Sequence, residues 1–374
     1  MHEGDGPQRT LSHHVASLND PRIERTKRHD LLEIIVIALC GIICGADSWV
    51  EIAECGQATA AWLKPCLRLP NGIPSHDTFG RVFALLDPQA FQQCFLNWMR
   101  SFSQLTQGDV VAIDGKTLRR SFDRAAGKHA RPLISAWACK NHVVLGQLKT
   151  AEHSNEITAI PQLLHLLDVA GCLVTIDAMG TQQQIAADLT TAGADDVRAL
   201  NANHATTCEE VRLFLDDWAT AHPPAETVDK AHGRLEVRRA WLSDDLDWFQ
   251  DQAAWAHLTS FGMVESHRTL DGQTQTQRRS DLCSLPAQDR GRVAQAVRSH
   301  WHIEHALHWS LEVTFHEEHS RVRKDHAPDN LALLRRLARS LLKRETSRKG
   351  GIKVRRLRAA CDHDYLAEVL LQKI

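Results

Sequence analysis

The sequence lacks two features that are common in exported proteins. Its ten cysteines include no CxxC pair, and no apolar segment close to Met1 has the form of a signal peptide. These absences favour a protein of the reducing cytoplasm, whose thiols stay free and mostly buried.

An apolar run long enough to cross a membrane is also missing. The run LLEIIVIALCGIICG, at residues 31–45, contains Glu33 and falls short of the roughly 20 residues that a membrane-spanning helix needs. We predict a core helix there and expect no membrane partner. Internal repeats and long low-complexity tracts are absent as well.

The chain has little net charge, since 44 Lys and Arg against 46 Asp and Glu give −2. The net charge of the whole chain therefore does not indicate an anionic partner. Residues 335–358 depart from it, because they are heavily basic and Glu345 is their single acidic residue. From charge alone, this segment is equally typical of a solvated helix face and of a DNA-contacting surface.

The length of 374 residues allows two or three domains. Residues 1–28 are polar and are predicted to form a loose arm. Apolar residues then recur at helical spacing over 29–104, which predicts an all-helical N-terminal domain. Its helix HDTFGRVFALL follows a Gly-Pro turn and is capped by Ser75 or Asp77. That pattern is compatible with a DNA-binding helix-turn-helix and with ordinary helix packing.

From residue 105 the pattern becomes that of a mixed α/β domain, which we place at 105–345. Three strands come first, DVVAIDG, RPLISAWAC and HVVLGQLKT, with a hairpin turn at 140–141. A helix, a strand, a second helix and another strand follow: SNEITAIPQLLHLLD, GCLVTIDAMG, TQQQIAADLTTAG and DDVRAL.

A β-rich insertion interrupts this domain at about 205–290. It is predicted to contain one helix and three strands, TVDKAHGRLEVRRAWL, AHLTSFGMVESHRTL and TQTQRRSDLCSL. The last two strands are joined by a turn at Asp271-Gly272. Helices resume at AQDRGRVAQAVRSHWHIEHALHW, and residues 346–374 form a basic C-terminal tail and helix.

Two aspartates follow apolar strands. Asp114 ends the first strand and Asp177 ends the fourth, and the carboxyl ends of neighbouring strands face one crevice. An aspartate before glycine is often only a turn former, but two on adjacent strands indicate a site. Glu304, on a returning helix, would be the third carboxylate. The meander, the crossover and this Asp, Asp, Glu order predict an RNase H-like nuclease fold.

The predicted chemistry is metal-dependent phosphoryl transfer. Two Mg²⁺ (or Mn²⁺) ions about 4 Å apart can activate the attacking oxygen and stabilise the leaving one. Magnesium prefers hard oxygen ligands, which carboxylates supply. Asp114 would bridge both metals, while Asp177 and Glu304 would each hold one. The cations Lys116, Arg119 and Arg120 would hold the DNA backbone beside them.

The stretch HWHIEHALHW, at residues 300–309, invites a different hypothesis, a zinc hydrolase. It contains no HExxH or HxxEH pattern, and no PCxxC accompanies its HxE. His302, His305 and His308 recur every three residues and therefore drift around a helix. We predict instead that Trp301 and Trp309 pack into the core, with the histidines as a polar flank.

Taken together, these segments resemble a family. VAIDGKTLRRSFD, SNEITAIPQLL, TIDAMGTQ and RSHWHIEHALHWSLEVTFHEEHSRVR are similar to the H-repeat-associated proteins, which are DDE transposases of ISAs-type bacterial insertion sequences. The likeness extends over nearly the whole chain from about residue 20. It implies a helical N-terminal domain, an RNase H-like core and Mg²⁺-dependent DNA strand cleavage and transfer at the element ends.

The resemblance also assigns residues. It implies that Asp114, Asp177 and Glu304 are the catalytic carboxylates, with Glu312 as the rival third ligand. His300 replaces an arginine of related sequences, and LNANH has Asn201 and His204 where relatives carry lysine and glutamine. The residues expected to contact DNA are Lys116, Arg119, Arg120, Asn203, Arg234, Arg238, Arg298, Arg321 and Arg323.

The implied partner is double-stranded DNA, as terminal inverted repeats and as target. The resemblance implies that two copies form a homodimer around paired element ends. It also implies a cytoplasmic protein that is associated with the nucleoid when it is bound to DNA. The Asn201 and His204 departures keep one alternative open, a catalytically weak or silent DNA-binding protein derived from a transposase. The zinc hydrolase remains the third and least favoured hypothesis.

Overall fold

The computed structural model describes residues 11–100, 105–117, 132–150, 156–231 and 233–371. Helices come first in the chain, and the predicted all-helical character of residues 29–100 is confirmed. The helices are α1 (Leu11–Val15), α2 (Leu31–Cys44), α3 (Trp49–Ala58), α4 (Ala60–Leu63), α5 (His76–Leu85) and α6 (Pro88–Arg100). Residues 11–15 lie within the arm predicted to be loose, and Val15 at the end of α1 is buried.

The capping residues of these helices follow the sequence signals. Asp30 accepts a hydrogen bond from the backbone of α2 and forms a capping box with Glu33. Ser75, rather than Asp77, caps α5 by accepting from the backbone N–H of Thr78. Among the described residues no single helix is long and apolar enough to span a membrane. Helices α2 and α3 reach the length and apolar composition of a membrane span only when they are counted together, and a 95° bend separates them.

The strands form one large mixed sheet. They are β1 (Val110–Thr117), β2 (Pro132–Ala138), β3 (Val143–Lys149), β4 (Leu173–Ile176), β5 (Asp195–Leu200), β6 (Ala225–Ala231), β7 (Arg234–Ser243), β8 (Ser260–Leu270) and β9 (Gln273–Cys283). The helices α7 (Glu156–His165) and α8 (Gln183–Thr191) connect β3 to β4 and β4 to β5. The predicted order of three strands, helix, strand, helix and strand is confirmed.

Register within the sheet positions the predicted aspartates. The order of neighbouring strands is β3-β2-β1-β4-β5-β9-β8-β7-β6, with β1 antiparallel to β2 and parallel to β4. Ile113 of β1 faces Ile176 of β4, and both side chains are buried. Asp114 and Asp177 are the next residues, so the two aspartates lie side by side on neighbouring strands. Asp177 directly follows β4. The prediction that Asp114 ends the first strand is wrong, because β1 continues to Thr117 through its pairing with β2.

The insertion lengthens the sheet instead of forming a separate layer. After α9 (Ala205–Ala221), its last strand β9 pairs with β5 of the core. The single strand predicted over 227–242 is wrong, because β6 and β7 form a hairpin there with Gly233 in the left-handed conformation. The predicted turn at Asp271-Gly272 is confirmed, and both residues have positive φ.

The C-terminal helices return to the N-terminal ones. A continuous helical stretch comprises α10 (Arg290–His302), a π-helical segment (Ile303–His308) and α11 (Trp309–Val313). It is followed by α12 (Ala327–Arg344), α13 (Ile352–Cys361) and α14 (His363–Leu371). The helices α12, α13 and α14 pack on α2. The largest hydrophobic core therefore joins both ends of the chain to β1–β4.

The basic segment 335–358 is divided between the interior and the surface: residues 335–342 are buried, whereas residues 346–351 are exposed. Neither a solvated face nor a DNA-contacting surface describes its four buried arginines, Arg335, Arg336, Arg339 and Arg356. Their guanidinium groups donate to the core's internal acceptors, such as the Glu317 carboxylate and the carbonyl oxygens of Ala306 and Ile42. Counting charge could not reveal this, because it does not show which arginines face buried acceptors.

Candidate active site

Asp114 lies at the centre of the candidate site. Its side chain is mostly buried, with 15% of its surface exposed. One oxygen, Oδ1, accepts from the backbone N–H of Gly115 at 2.8 Å, and Oδ2 lies 3.1 Å from Nε2 of His308. Burial raises the pKa of Asp114, but the hydrogen bond and charge of His308, with smaller contributions from His300 and the backbone of Gly115, together hold the pKa below its usual value. Asp114 is therefore kept as a carboxylate.

Asp177 is held by the loop that follows β4. Its Oδ1 accepts from the backbone N–H of Gly180 at 3.1 Å. Burial, together with the nearby charge of Asp114, raises the pKa of Asp177 despite that hydrogen bond. Gly180 has to be small, since a Cβ there would lie 2.7 Å from Cδ1 of Ile160. The two predicted aspartates are thus brought within electrostatic reach of each other.

Glu156 is a third acidic residue of the site, and the sequence did not single it out. It is the first residue of α7, and its carboxyl group lies against the backbone of Gly115. Burial, and then the charges of Asp177 and Asp114, raise the pKa of Glu156 to about 7. The available signal was an acidic residue opening the first crossover helix, which is also an ordinary feature of helix N-termini.

Glu304 lies on the π-helical segment, and its side chain is exposed. Ile303 and Leu307 are fully buried and fix this segment to the core. Glu304 precedes His308, the hydrogen-bond partner of Asp114, by four residues. Glu304 therefore lies about one helical turn before the residue that contacts Asp114.

The prediction for the tryptophans around Glu304 is wrong. Trp301 and Trp309 are 37% and 58% exposed, whereas His300 and His308 are each only 7% exposed. His300 continues the buried face of α10 that Val293 and Val297 form at regular helical spacing, and this leaves Trp301 on the outer face. The side chains of His302 and His305, on which the zinc hypothesis depended, lie outside the described residues.

His300 supports the sheet beneath the aspartates. Its Nδ1 lies 3.0 Å from Oγ1 of Thr175 on β4. Burial, followed by the nearby Arg279 charge, lowers the pKa of His300 to about 4. The imidazole is therefore neutral at pH 7, so His300 does not supply the positive charge of the arginine that related sequences have there.

The rival ligand Glu312 is engaged in an ion pair. Its Oε2 lies 3.1 Å from Nζ of Lys116, and Oε1 of Glu318 lies 3.6 Å from the same atom. Lys116, predicted to contact DNA, is thus largely covered, with 13% of its side chain exposed. The predicted contacts Arg119 and Arg120 lie outside the described residues.

The LNANH segment supports the loop after Asp177. Asn203 donates from Nδ2 to the carbonyl oxygen of Ala178. Nε2 of His204 lies 2.6 Å from the carbonyl oxygen of Thr181, and Asn201 caps the short helical turn that carries both residues. The residues that depart from the family pattern therefore position the backbone next to Asp177.

The other predicted DNA contacts lie in two places. Arg238 and Arg298 both pair with Asp229 of β6, at 2.8 and 2.9 Å, and Arg234 lies 3.6 Å from Glu236. Arg321 and Arg323 are exposed. They line a cavity of about 780 Å³ between the loop after α11 and the N-terminal helices.

The donor chemistry of the carboxylates fits a hard divalent cation. Asp114, Asp177 and Glu156 supply oxygen ligands of the kind Mg²⁺ prefers, and Gly115 leaves room for one of them. Within the described part of the chain, no three His, Cys, Asp or Glu side chains already surround a single metal position. Burial, and after it the charges of neighbouring carboxylates, raise the pKa of Asp177 and of Glu156, and a bound cation would favour their ionised forms.

Comparison with known proteins adds two family matches and several relatives. Residues 12–99 match the DDE_Tnp_1-associated family, and residues 105–341 match the family described as Transposase DDE domain. The "Uncharacterized protein in dhlA 3'region" of Xanthobacter autotrophicus is 44% identical over 274 residues, which are 72% of this chain and 92% of that protein.

Two further relatives align over almost the entire length. "Putative transposase YncI" of Escherichia coli O157:H7 is 36% identical over 370 residues, 96% of this chain and 94% of that protein. "H repeat-associated putative transposase YhhI" of Escherichia coli (strain K12) is 34% identical over 370 residues, 96% and 97% of the respective chains.

Proposed function

The chain belongs to the DDE transposases, and from this premise we propose that it cleaves DNA at the ends of its own insertion sequence and transfers the strands. The pairing of Ile113 with Ile176 supports this most directly, because it brings Asp114 and Asp177 to adjacent positions on neighbouring strands. Glu304, on the helix that His308 ties to Asp114, is the proposed third carboxylate.

These carboxylates are proposed to hold two Mg²⁺ or Mn²⁺ ions. Bound there, the ions would activate the attacking oxygen and stabilise the leaving one. The chain's own part is to orient the ligands and keep them ionised. His308 keeps the pKa of Asp114 low, and Gly180 fixes the carboxylate of Asp177 through its backbone N–H.

DNA is proposed to run from the carboxylates across two groups of arginines, those beside Asp229 and those on the cavity wall. Arg321 and Arg323 are exposed on the cavity wall, and Arg298 remains 41% exposed although it is paired with Asp229. Phosphate groups would compete for such partly exposed guanidinium groups. Asn203 is proposed to contact DNA beside Asp177. Arg234, Arg238 and Lys116 are proposed to contact the DNA backbone further from the carboxylates.

We propose a distinct role for each part of the chain. The helical segment 29–104 assists in DNA binding, residues 105–345 form the catalytic domain with its inserted strands, and residues 346–374 brace the N-terminal helices. Two copies assemble around paired element ends. All ten cysteines are free thiols, which suits the reducing cytoplasm where such an enzyme would meet chromosomal DNA.

A silent DNA-binding protein is the second candidate. Two observations favour it. Lys116 is paired with Glu312 and Glu318 instead of facing open solvent. The positions where relatives carry lysine and glutamine, Asn201 and His204, bind the chain's own backbone. Such a protein would occupy the inverted repeats without cutting them.

Cleavage of defined DNA separates the two candidates. Purified protein is incubated with duplexes containing the terminal repeats that flank its gene, or a scrambled control, in Mg²⁺, Mn²⁺ or EDTA. The transposase proposal expects breaks at the repeat boundary that require the metal and the correct sequence. Binding to the repeats with no breaks even in Mn²⁺ would instead support the silent protein.

A further inference from the structure

Lys116 is held by three acceptors on one side of β1. Its Nζ lies 3.1 Å from Oε2 of Glu312 and 3.6 Å from Oε1 of Glu318, and it donates to the carbonyl oxygen of His308 at 3.4 Å. Side chains two residues apart on a strand point to the same face. Asp114 accordingly contacts the ring of the same histidine. Lys116 is therefore fixed to the helical stretch that also contacts Asp114.

The acceptors of Lys116 differ in how firmly the protein holds them. Glu318 lies on a short helical turn, Glu317–His319, beside Glu317, whose side chain is buried and ion-paired with α12. Lys116 and Glu318 are 13% and 20% exposed, whereas Glu312 is 46% exposed. The anchored turn thus keeps the Glu318 carboxylate next to the ammonium group, and the Glu312 side of the group is open to solvent.

The charges of this group do not balance. Two carboxylates share one ammonium group, so a DNA phosphate that approaches Lys116 meets a net negative charge. Ion pairs that water reaches are weak, and a phosphate that releases its counterions competes for the same cation. The carboxylates therefore oppose DNA at a lysine that DNA is able to capture.

We propose that Glu318 and Glu312 are positioning residues, which hold Lys116 in the DNA-free protein until a DNA phosphate takes their place. This inference rests on the proposed function, through the DNA contact assigned to Lys116, and it gives Glu318 a role that the sequence did not predict. One ion pair is exchanged for another. The two carboxylates thereby set how tightly this part of the site binds DNA.

A permanent structural clamp is the competing explanation. Lys116 would then stay with Glu312 and Glu318 when DNA binds, and would only brace β1 against the turn. Removing the charge of Glu318 would still favour DNA in a general way, because one negative charge near the duplex is lost. The two explanations differ in one respect, since only an exchange makes the effect of Glu318 depend on Lys116.

DNA binding by the full-length protein in EDTA tests the exchange. Fluorescence anisotropy measures the affinity, over a range of salt concentrations, for a duplex with the terminal repeats that flank its gene and for an unrelated duplex. Glu318→Gln keeps the shape of the side chain and is expected to bind both duplexes tighter by up to roughly fivefold, because the ion pair that it removes is weak.

The same measurement on Lys116→Met shows whether Lys116 reaches a phosphate. This variant should bind more weakly, and its log affinity should fall less steeply with log salt, the slope changing by about 1. Adding Glu318→Gln to Lys116→Met should then give no more gain than the control. The matched control is Glu210→Gln, which removes a carboxylate at an exposed position of α9 and should bind as the wild type does.

Two results would overturn the exchange. One is an equal gain from Glu318→Gln with and without Lys116, and the other is a salt dependence that Lys116→Met leaves unchanged. Should Lys116→Met fold poorly by circular dichroism, Glu318→Gln decides alone, and an affinity equal to that of Glu210→Gln refutes the proposal.

The outcomes also separate this inference from the function on which it rests. If the wild type cuts at the repeats in Mg²⁺ but Glu318→Gln binds like the control, the role of Glu318 is refuted and the function stands. If the wild type binds and shows the exchange without cutting, only the proposed cleavage fails. If it neither binds nor cuts, both are refuted.

Discussion

The Nε2 atom of His308 lies 3.1 Å from Oδ2 of Asp114, which ties the helical stretch of Glu304 to strand β1. Both side chains are mostly buried, at 9% and 15% exposure. A hydrogen bond in such surroundings orients the carboxylate and also favours its ionised form. The geometry of the candidate site therefore depends on His308, a histidine that is not among the proposed metal ligands.

Removing the His308 imidazole should raise the pKa of Asp114, because its hydrogen bond and charge are what lower it. His308→Ala is expected to weaken Mn²⁺ binding by roughly 10–100-fold. It should also move the acidic limb of the pH–rate profile for cleavage to higher pH. The control is His165→Ala, at an exposed position near the end of α7. An unchanged profile in His308→Ala would show that His308 does not act on Asp114.

Gly115 is expected to be intolerant of a methyl group. Gly115→Ala should destabilise the protein by about 1–3 kcal/mol, because the new Cβ collides with Glu156 and approaches Ile134. In a Glu156→Ala background the cost should fall, since the nearest colliding atoms are gone. Urea unfolding in EDTA measures the double-mutant cycle. Equal costs in both backgrounds would mean that Glu156 does not occupy this space.

The metal-free protein should lose stability as the pH rises through neutrality, in part because of Glu156. Its folded-state pKa of about 7 exceeds the ordinary value of 4.5, so the folded state binds the proton more tightly than the unfolded state. The stabilisation is complete below pH 4.5 and is lost as the pH rises through 7. Glu156→Gln should unfold with a flatter pH dependence over this window, measured in EDTA. Parallel curves would contradict the raised pKa.

The buried arginines of the C-terminal segment are expected to matter for stability. Arg336 pairs with Glu317 at 2.5 Å, and each side chain is 1% exposed. Arg336→Ala would leave a buried carboxylate unpaired and should cost about 3–5 kcal/mol of unfolding free energy. Arg348→Ala, at an exposed position of the same basic segment, should cost little. If both substitutions affect DNA binding but not stability, the segment is a DNA surface after all.

The strand order of the core could be predicted, because each strand is a short β-branched run bounded by turns and each crossover helix has its own apolar face. The neighbouring positions of Asp114 and Asp177 followed from the parallel pairing of β1 and β4. The end of β1 could not be predicted in the same way, because its last residues continue the strand by pairing with β2. Their convergence with Glu304 remains a prediction.

The misassigned features depend on tertiary context. Trp301 and Trp309 are exposed where burial was predicted, because the buried face of this helical stretch passes through His300, Ile303 and Leu307 instead. Residue type alone favoured the tryptophans over His300 as core residues. Net charge does not reveal that Arg336 and Arg339 face internal acceptors. Glu156 was missed because its significance arises from Gly115, on a strand that is distant in sequence.

Single-turnover cleavage of DNA with the element ends, measured together with DNA binding, tests the central claim most directly. Wild type and Asp114→Asn are compared in Mg²⁺ at saturating protein. Asp114→Asn should bind the ends with unchanged affinity and cut them slower by roughly a hundredfold or more, since the carboxylate is proposed to hold the metal ions. Cleavage by Asp114→Asn at the wild-type rate would contradict the assignment of this carboxylate site as the catalytic centre.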